Sequence, residues 1–145
     1  VSPDFLKLRG RIITILQEES KLMEIVKLIG SDTLPDYQKL VLETAHAIRI
    51  GFLQQDALDD RDTYVPIEKQ KKMMETFDLY YSKAKELIAA GIPLSTISQS
   101  GLYEKLIKMK VRIPNGKPEL FDDLMEEICN TLDSLAPSKS GTKKP

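Results

Sequence analysis

The side chains best suited to chemistry in this 145-residue sequence are few and lie far apart. His46 is the single histidine and Cys129 is the single cysteine. A zinc site needs several nitrogen or sulfur ligands, and a catalytic base or nucleophile needs a group that orients it. We therefore interpret His46 as a surface or boundary residue and Cys129 as a small buried residue. No catalytic residue and no metal site is predicted.

Two charged clusters could in principle bind an ion or a polyanion, but neither has the pattern that such binding requires. The aspartates between residues 56 and 62 lack the spacing and the glycine of an EF-hand loop, so a solvated loop is predicted. The lysines are interleaved with glutamates, which is typical of a solvated helix face. The two clusters are Asp56, Asp59, Asp60 and Asp62, and Lys69, Lys71, Lys72, Lys83 and Lys85.

The overall composition excludes several functional classes. Lys and Arg number 21 and Asp and Glu 22, so the net charge of −1 gives no basic surface for nucleic acid. No GxxxxGKS, GxxxxGKT or GxGxxG loop is present to bind phosphate. Charged residues interrupt every apolar stretch, so we predict no direct insertion into a membrane.

The positions of the apolar residues predict helices almost throughout and no strand. Pro3, Pro35 and Pro118 are typical first-turn residues of helices, whereas Gly30 and Gly91 are typical terminators. The fold class is therefore all-α, a compact orthogonal or up-down bundle of about five to seven helices. The first helix could be continuous or broken near residue 20. Residues 1–136 are predicted to form one domain, and residues 137–145 a flexible polar tail.

The same periodicity predicts which residues face the core. They are Phe5, Leu8, Ile12, Ile15, Leu16, Leu22, Ile25, Val26 and Ile29 in the first helix; Leu40, Thr44, Ala47, Ile48 and Phe52 in the second; Ile67, Met74, Phe77, Tyr81, Ala84, Leu87 and Ile88 in the third; Leu102, Leu106, Ile107 and Met109 in a short helix; and Leu120, Phe121, Leu124, Ile128, Leu132 and Leu135 in the last. These residues alone indicate a helical interaction module, and a stand-alone adaptor that binds a partner protein is the alternative function.

Two stretches resemble a known family. The first is EIVKLIGSDTLPD at residues 24–36, continued by LVLETA at 40–45 and IR at 48–49. The second is FLQQDAL at 52–58, followed by DTY at 62–64 and PIEKQ at 66–70. Their order and spacing resemble the C-terminal domain of the catalytic A subunit of archaeal and vacuolar-type rotary ATPases, over roughly residues 1–110. In that family the motifs read EIVxLVGxDxLP, FLQQNAF and DTYxxxEKQ.

The resemblance implies a function for the full catalytic chain, which would be an ion-translocating ATP synthase or ATPase. Its P-loop domain would bind ATP or ADP with Mg, so this fragment alone would hold no cofactor and be inactive. The domain would couple ATP synthesis or hydrolysis to rotation of the central stalk. The implied partners are the B subunits and the central-stalk subunits. The implied location is cytoplasmic, associated with a membrane only through the complex.

The resemblance also implies two sets of site residues. Asp32, Leu34 and Asp36 match a turn that faces the central stalk, although Thr33 and other residues here replace acidic ones, which favours steric pushing over an electrostatic contact. Residues 52–58 match the segment that reaches the adenine of the nucleotide. Gln54, Gln55 and Leu58 are the expected edge of the adenine pocket, with Leu58 in place of the family's aromatic residue and Asp56 in place of its asparagine.

Overall fold

The computed structural model describes residues 3–54 and 67–136, and every regular element in these ranges is helical. The all-α prediction is confirmed, with six α-helices in the described residues. They are α1 (Pro3–Ile29), α2 (Asp36–Ile48), α3 (Ile67–Ala89), α4 (Leu94–Ser98), α5 (Leu102–Arg112) and α6 (Glu119–Asp133); a 3-10 turn at Ser31–Thr33 precedes α2 and a π-helical turn at Arg49–Gln54 follows it. The predicted acidic loop at 56–62 and the predicted tail at 137–145 lie outside the described residues.

The first helix is a single helix of 27 residues, about 40 Å long. At the position where a break was possible, the Ser20 hydroxyl bonds to the Leu16 carbonyl at 3.4 Å and the helix continues. Its buried residues are Leu8, Ile12, Ile15 and Leu22, at the spacing of one helix face.

Helix α3 is the centre of the bundle, because it packs against all five of the other α-helices and most extensively against α1, α2 and α6. The predicted inward residues Met74, Phe77, Ala84 and Leu87 are buried. Ile67, in contrast, is 56% exposed, so that prediction is wrong. The sequence also missed Met73 and Tyr80, which are fully buried. A helix with neighbours on several sides buries a wider face than the single stripe that periodicity predicts.

The remaining helices bury most of the predicted positions. Residues of α2, α5 and α6 that are confirmed as buried are Leu40, Thr44, Ala47, Ile48, Leu102, Leu106, Met109, Phe121, Ile128 and Leu132. His46 is exposed, as predicted. Cys129 is only half-buried, which corrects its interpretation as a buried residue: it lies one position beyond Ile128 and so turns toward the edge of the helix interface.

Two ends of the bundle are of functional interest. At one end, the turn between α1 and α2 lies beside the start of α4, because Asp36 bonds to the Leu94 amide. At the other end, the π-helical turn after α2 packs on α5, and the start of α3 bonds to the end of α5. Helix α2 therefore connects the two regions that the sequence singles out.

Candidate functional site

The tip turn, residues 30–35, is closed by local hydrogen bonds. Gly30 has a φ of 86°, which residues other than glycine rarely adopt, and its amide bonds to the Val26 carbonyl at 2.8 Å. The Thr33 hydroxyl donates to the Gly30 carbonyl at 3.2 Å, and the Leu34 amide donates to the Ser31 carbonyl at 3.1 Å. These bonds favour one conformation of the turn.

The three residues predicted to face a partner share this region but differ in their surroundings. Asp32 is exposed. Leu34 is only 7% exposed and belongs to the buried apolar residues. Asp36 is half-buried, and its Oδ2 accepts a hydrogen bond from the Leu94 amide at 2.9 Å. Asp32 is thus available to a partner, whereas Leu34 and Asp36 make contacts within the domain.

The end of α1 presents apolar side chains to solvent. Leu28 is 84% exposed, and Ile25 and Ile29, which were predicted to face inward, are 39% and 59% exposed. That prediction is wrong because periodicity shows which side of a helix is apolar, not where the helices that cover it stop. We call Leu28, Ile29 and Asp32 the tip surface. Exposed large apolar side chains beside a turn are typical of a protein-interaction surface.

Glu43 lies on α2 between α3 and α4. Its Oε1 accepts a hydrogen bond from the Tyr80 hydroxyl at 3.3 Å, and its Oε2 accepts one from the Ser98 hydroxyl at 3.4 Å. Burial raises the pKa of the Glu43 carboxyl above its ordinary value, while the two hydrogen bonds lower it. Burial and the nearby Glu43 carboxylate also raise the pKa of Tyr80, so its hydroxyl remains a donor at neutral pH.

We expect Glu43→Gln to stabilise the domain at neutral pH. Because the folded-state pKa of Glu43 is raised, its contribution to stability is fully present below the unfolded-state pKa and is lost as the pH rises through the folded-state pKa. A neutral amide avoids this loss, and it keeps both partners if its oxygen accepts from the Tyr80 hydroxyl and its NH2 donates to the Ser98 hydroxyl. The expected gain is roughly 2 °C in Tm at pH 7, and it should vanish below about pH 4.

Thermal unfolding followed by circular dichroism at several pH values measures this effect. Glu126→Gln, at an exposed position on α6, is the control and should change Tm little at any pH. If the gain in Tm from Glu43→Gln persisted unchanged at about pH 3.5, the burial of the ionised Glu43 carboxylate would not be its cause.

At the other end of the bundle, the π-helical turn approaches α5 closely. A Cβ on Gly51 would lie 3.1 Å from both the Ile107 Cα and the Leu106 carbonyl oxygen, so only glycine fits there without a backbone shift. The chain that leaves α2 is therefore fixed against the middle of α5.

Lys69 connects the start of α3 to the end of α5. Its side chain is buried, which corrects the prediction that it belongs to a solvated helix face. The Nζ donates to the carbonyls of Lys110 and Ile113, both at 2.7 Å, and to the Asn115 Oδ1 at 2.9 Å. Sequence alone could not show this, because the carbonyls at the end of α5 lie 41 and 44 positions away.

The expected adenine-pocket residues follow this anchored region. Gln54 is the last residue of the π-helical turn, and Gln55 and Leu58 lie outside the described residues. Within residues 3–54 and 67–136, no group of three or more His, Cys, Asp or Glu could hold a metal ion. None of the described helices is long and apolar enough to cross a membrane.

Comparison with known proteins identifies the family. The protein-family model for the C-terminal domain of V and A type ATP synthase matches residues 1–97, about two thirds of the chain. The chain belongs to this family. The match includes the tip turn, both helices that flank it and the whole of α3.

Relatives from bacteria and archaea agree with the family match. The V-type ATP synthase alpha chain 2 of Clostridium tetani is 50% identical over 135 residues, which is 93% of this chain. The V-type ATP synthase alpha chain of Halothermothrix orenii is 45% identical over 88% of the chain, and the A subunit of the A-type ATP synthase of Nanoarchaeum equitans is 39% identical over 90%. The chain spans only 23%, 22% and 23% of the lengths of these relatives.

Proposed function

We propose that this domain couples the catalytic site of an A/V-type ATP synthase to rotation of the central stalk. The full catalytic chain is an ion-translocating ATP synthase or ATPase, whose P-loop domain binds ATP or ADP with Mg. The family membership supports this proposal, together with relatives named as ATP synthase alpha chains and A subunits. The fragment by itself is inactive. Its partners are the B subunits and the central-stalk subunits, and it is cytoplasmic, held near the membrane only by the complex.

The contact with the stalk is made by the tip surface. Leu28 and Ile29 supply exposed apolar area, and Asp32 supplies one exposed charge. Leu34 and Asp36 contribute by holding the turn in shape, since their side chains are engaged within the domain. Contact through apolar side chains beside a well-bonded turn favours steric pushing over electrostatic attraction.

The adenine edge is formed by Gln54, Gln55 and Leu58, in the segment that follows α2 in the sequence, and Gln54 is the last residue of the π-helical turn. Helix α2 comprises 13 residues and spans about 20 Å, and the six-residue π-helical turn extends it. The close approach at Gly51 and the hydrogen bonds of Lys69 support this role, because they fix the chain on both sides of the segment. A rigid helix between the nucleotide and the stalk is a means of transmitting domain closure.

Replacing the apolar tip residues tests the stalk contact. In the complete complex, with the full-length catalytic chain and its B and stalk subunits, Leu28→Ser combined with Ile29→Ser should lower the torque of ATP-driven rotation at least about twofold, because central apolar contacts dominate interface energies. ATP hydrolysis by the complex assembled without the stalk should be unchanged. Rotation of a bead attached to the stalk gives the torque.

The matched control is Ile67→Ser combined with Val111→Ser. These residues are 56% and 60% exposed and lie on α3 and α5, away from the tip turn. The control should rotate with normal torque. Equal torque for the tip variant and the control would exclude the tip surface as the stalk contact.

A further inference from the structure

Helix α4 is too short to be stable alone. It has five residues, and isolated helices of this length do not form in water. The residue before it, Pro93, has no side-chain group that could cap it. What holds α4 in place must therefore come from elsewhere in the bundle, and two side chains of α2 make hydrogen bonds to it.

Asp36 supplies the missing cap at the start of α4. Its Oδ2 accepts a hydrogen bond at 2.9 Å from the amide of Leu94, the first residue of the helix and one of those without an intrahelical partner. The cap comes from a residue 58 positions earlier in the chain, immediately after the tip turn. The turn and the corner between α3 and α4 are thus joined directly.

Glu43 supplies the second contact, about two helical turns further along α2 and on the same face. It accepts hydrogen bonds from Ser98 at the end of α4 and from Tyr80 on α3. Helix α2 therefore holds α4 at both of its ends and bonds to α3 as well. Two carboxylates on one helix face connect three helices.

We infer that Asp36 is a positioning residue that makes α2, α3 and α4 move as one unit when force acts on the tip turn. The inference rests on the proposed contact between the tip turn and the stalk. Force applied to the turn reaches α2 through the chain and α3 through the packing of α2 on α3, and the bond from Asp36 to the corner between α3 and α4 adds a direct connection at the first turn of α2. Without that bond the first turn of α2 loses its direct connection to this corner, and only helix packing links it to α3 and α4.

The position of Asp36 argues for this role over a charged contact with the stalk. Asp32 is exposed, whereas Asp36 is half-buried and its carboxylate is directed at the Leu94 amide. A bracing role needs an acceptor oxygen at residue 36. A charged contact needs the negative charge itself, so the two roles respond differently to substitution.

Asp36→Asn and Asp36→Ala, compared in the assembled complex, separate the two roles. Asparagine keeps an oxygen that can accept from the Leu94 amide but loses the charge, and alanine loses both. With Asp36→Ala we expect the Leu94 amide to exchange with deuterium about tenfold faster and torque to fall while stalk-free ATP hydrolysis is retained. Asp36→Asn should retain most of the torque. Asp32→Ala serves as the exposed comparison.

Each outcome has a definite meaning. Equal loss of torque in both Asp36 variants would overturn the inference in favour of a charged contact. Normal torque in Asp36→Ala, despite faster exchange at Leu94, would show that the brace does not transmit force. If Leu28→Ser with Ile29→Ser also leaves torque normal, the proposed stalk contact itself fails. If that tip variant lowers torque and Asp36→Ala does not, only the inference fails.

Discussion

Lys69→Met should lower the free energy of unfolding of this domain by about 3 kcal/mol. The Lys69 ammonium donates three short hydrogen bonds, two of them to carbonyls at the end of α5. Methionine fills a similar volume but donates nothing, so the carbonyls of Lys110 and Ile113 lose a charged partner in a buried setting. The gain from a more apolar side chain offsets only part of that loss.

Lys83→Met is the matched control, since it is the same substitution on the same helix. Lys83 pairs with Asp133 at 2.8 Å, but Asp133 is 60% exposed, and exposed ion pairs contribute less than about 1 kcal/mol. Urea unfolding followed by circular dichroism measures both variants. If Lys69→Met cost no more than Lys83→Met, the three hydrogen bonds would not hold the start of α3 to α5.

Lys69 also shows where reasoning from sequence fails. It lies among lysines and glutamates on a predicted amphipathic helix, and its neighbours Lys71 and Lys72 are partly exposed as expected. Lys69 differs from these two lysines because it bonds to carbonyls at the end of α5, and a single sequence does not show that these carbonyls lie beside Lys69. Local patterns report on charge and periodicity, but a buried ammonium depends on acceptors that are distant in the chain.

The order of helices and their ends could be predicted, because they depend on residues that are close together in the sequence. Gly30, Pro35, Gly91 and Pro118 act through their own backbone, so their effect needs no knowledge of the rest of the fold. Each of them lies close to an observed helix end. The preferences of glycine and proline for helix ends were therefore sufficient to predict where these helices begin or end.

The tip of the molecule could be predicted only in part. The resemblance to the family predicts a turn around Asp32, and the structure has a turn there. The exposure of Ile29 and the inward bond of Asp36 could not be predicted, because the first depends on which helices cover the end of α1 and the second on where α4 begins. Which tip residues are exposed and which brace the turn is therefore a property of the packing.

Whether α6 belongs to the same domain is a separate question, since the family model ends at residue 97 and α6 begins at Glu119. In the structure α6 packs extensively on α3, the centre of the bundle. Phe121, Ile128 and Leu132 are buried at the spacing of one helix face. Such a helix completes the core rather than extending from it, and this supports the proposal that residues 1–136 form one domain.

Phe121→Ala should therefore destabilise the whole domain by about 4 kcal/mol, because Phe121 is fully buried and its removal leaves a cavity in the core. The unfolding transition should shift to lower urea as a single step with an unchanged slope. Glu126→Ala, at an exposed position on α6, should shift it by less than about 0.5 kcal/mol. An early loss of one helix, followed by a second transition at the original midpoint, would instead show that α6 folds separately and that the domain ends before it.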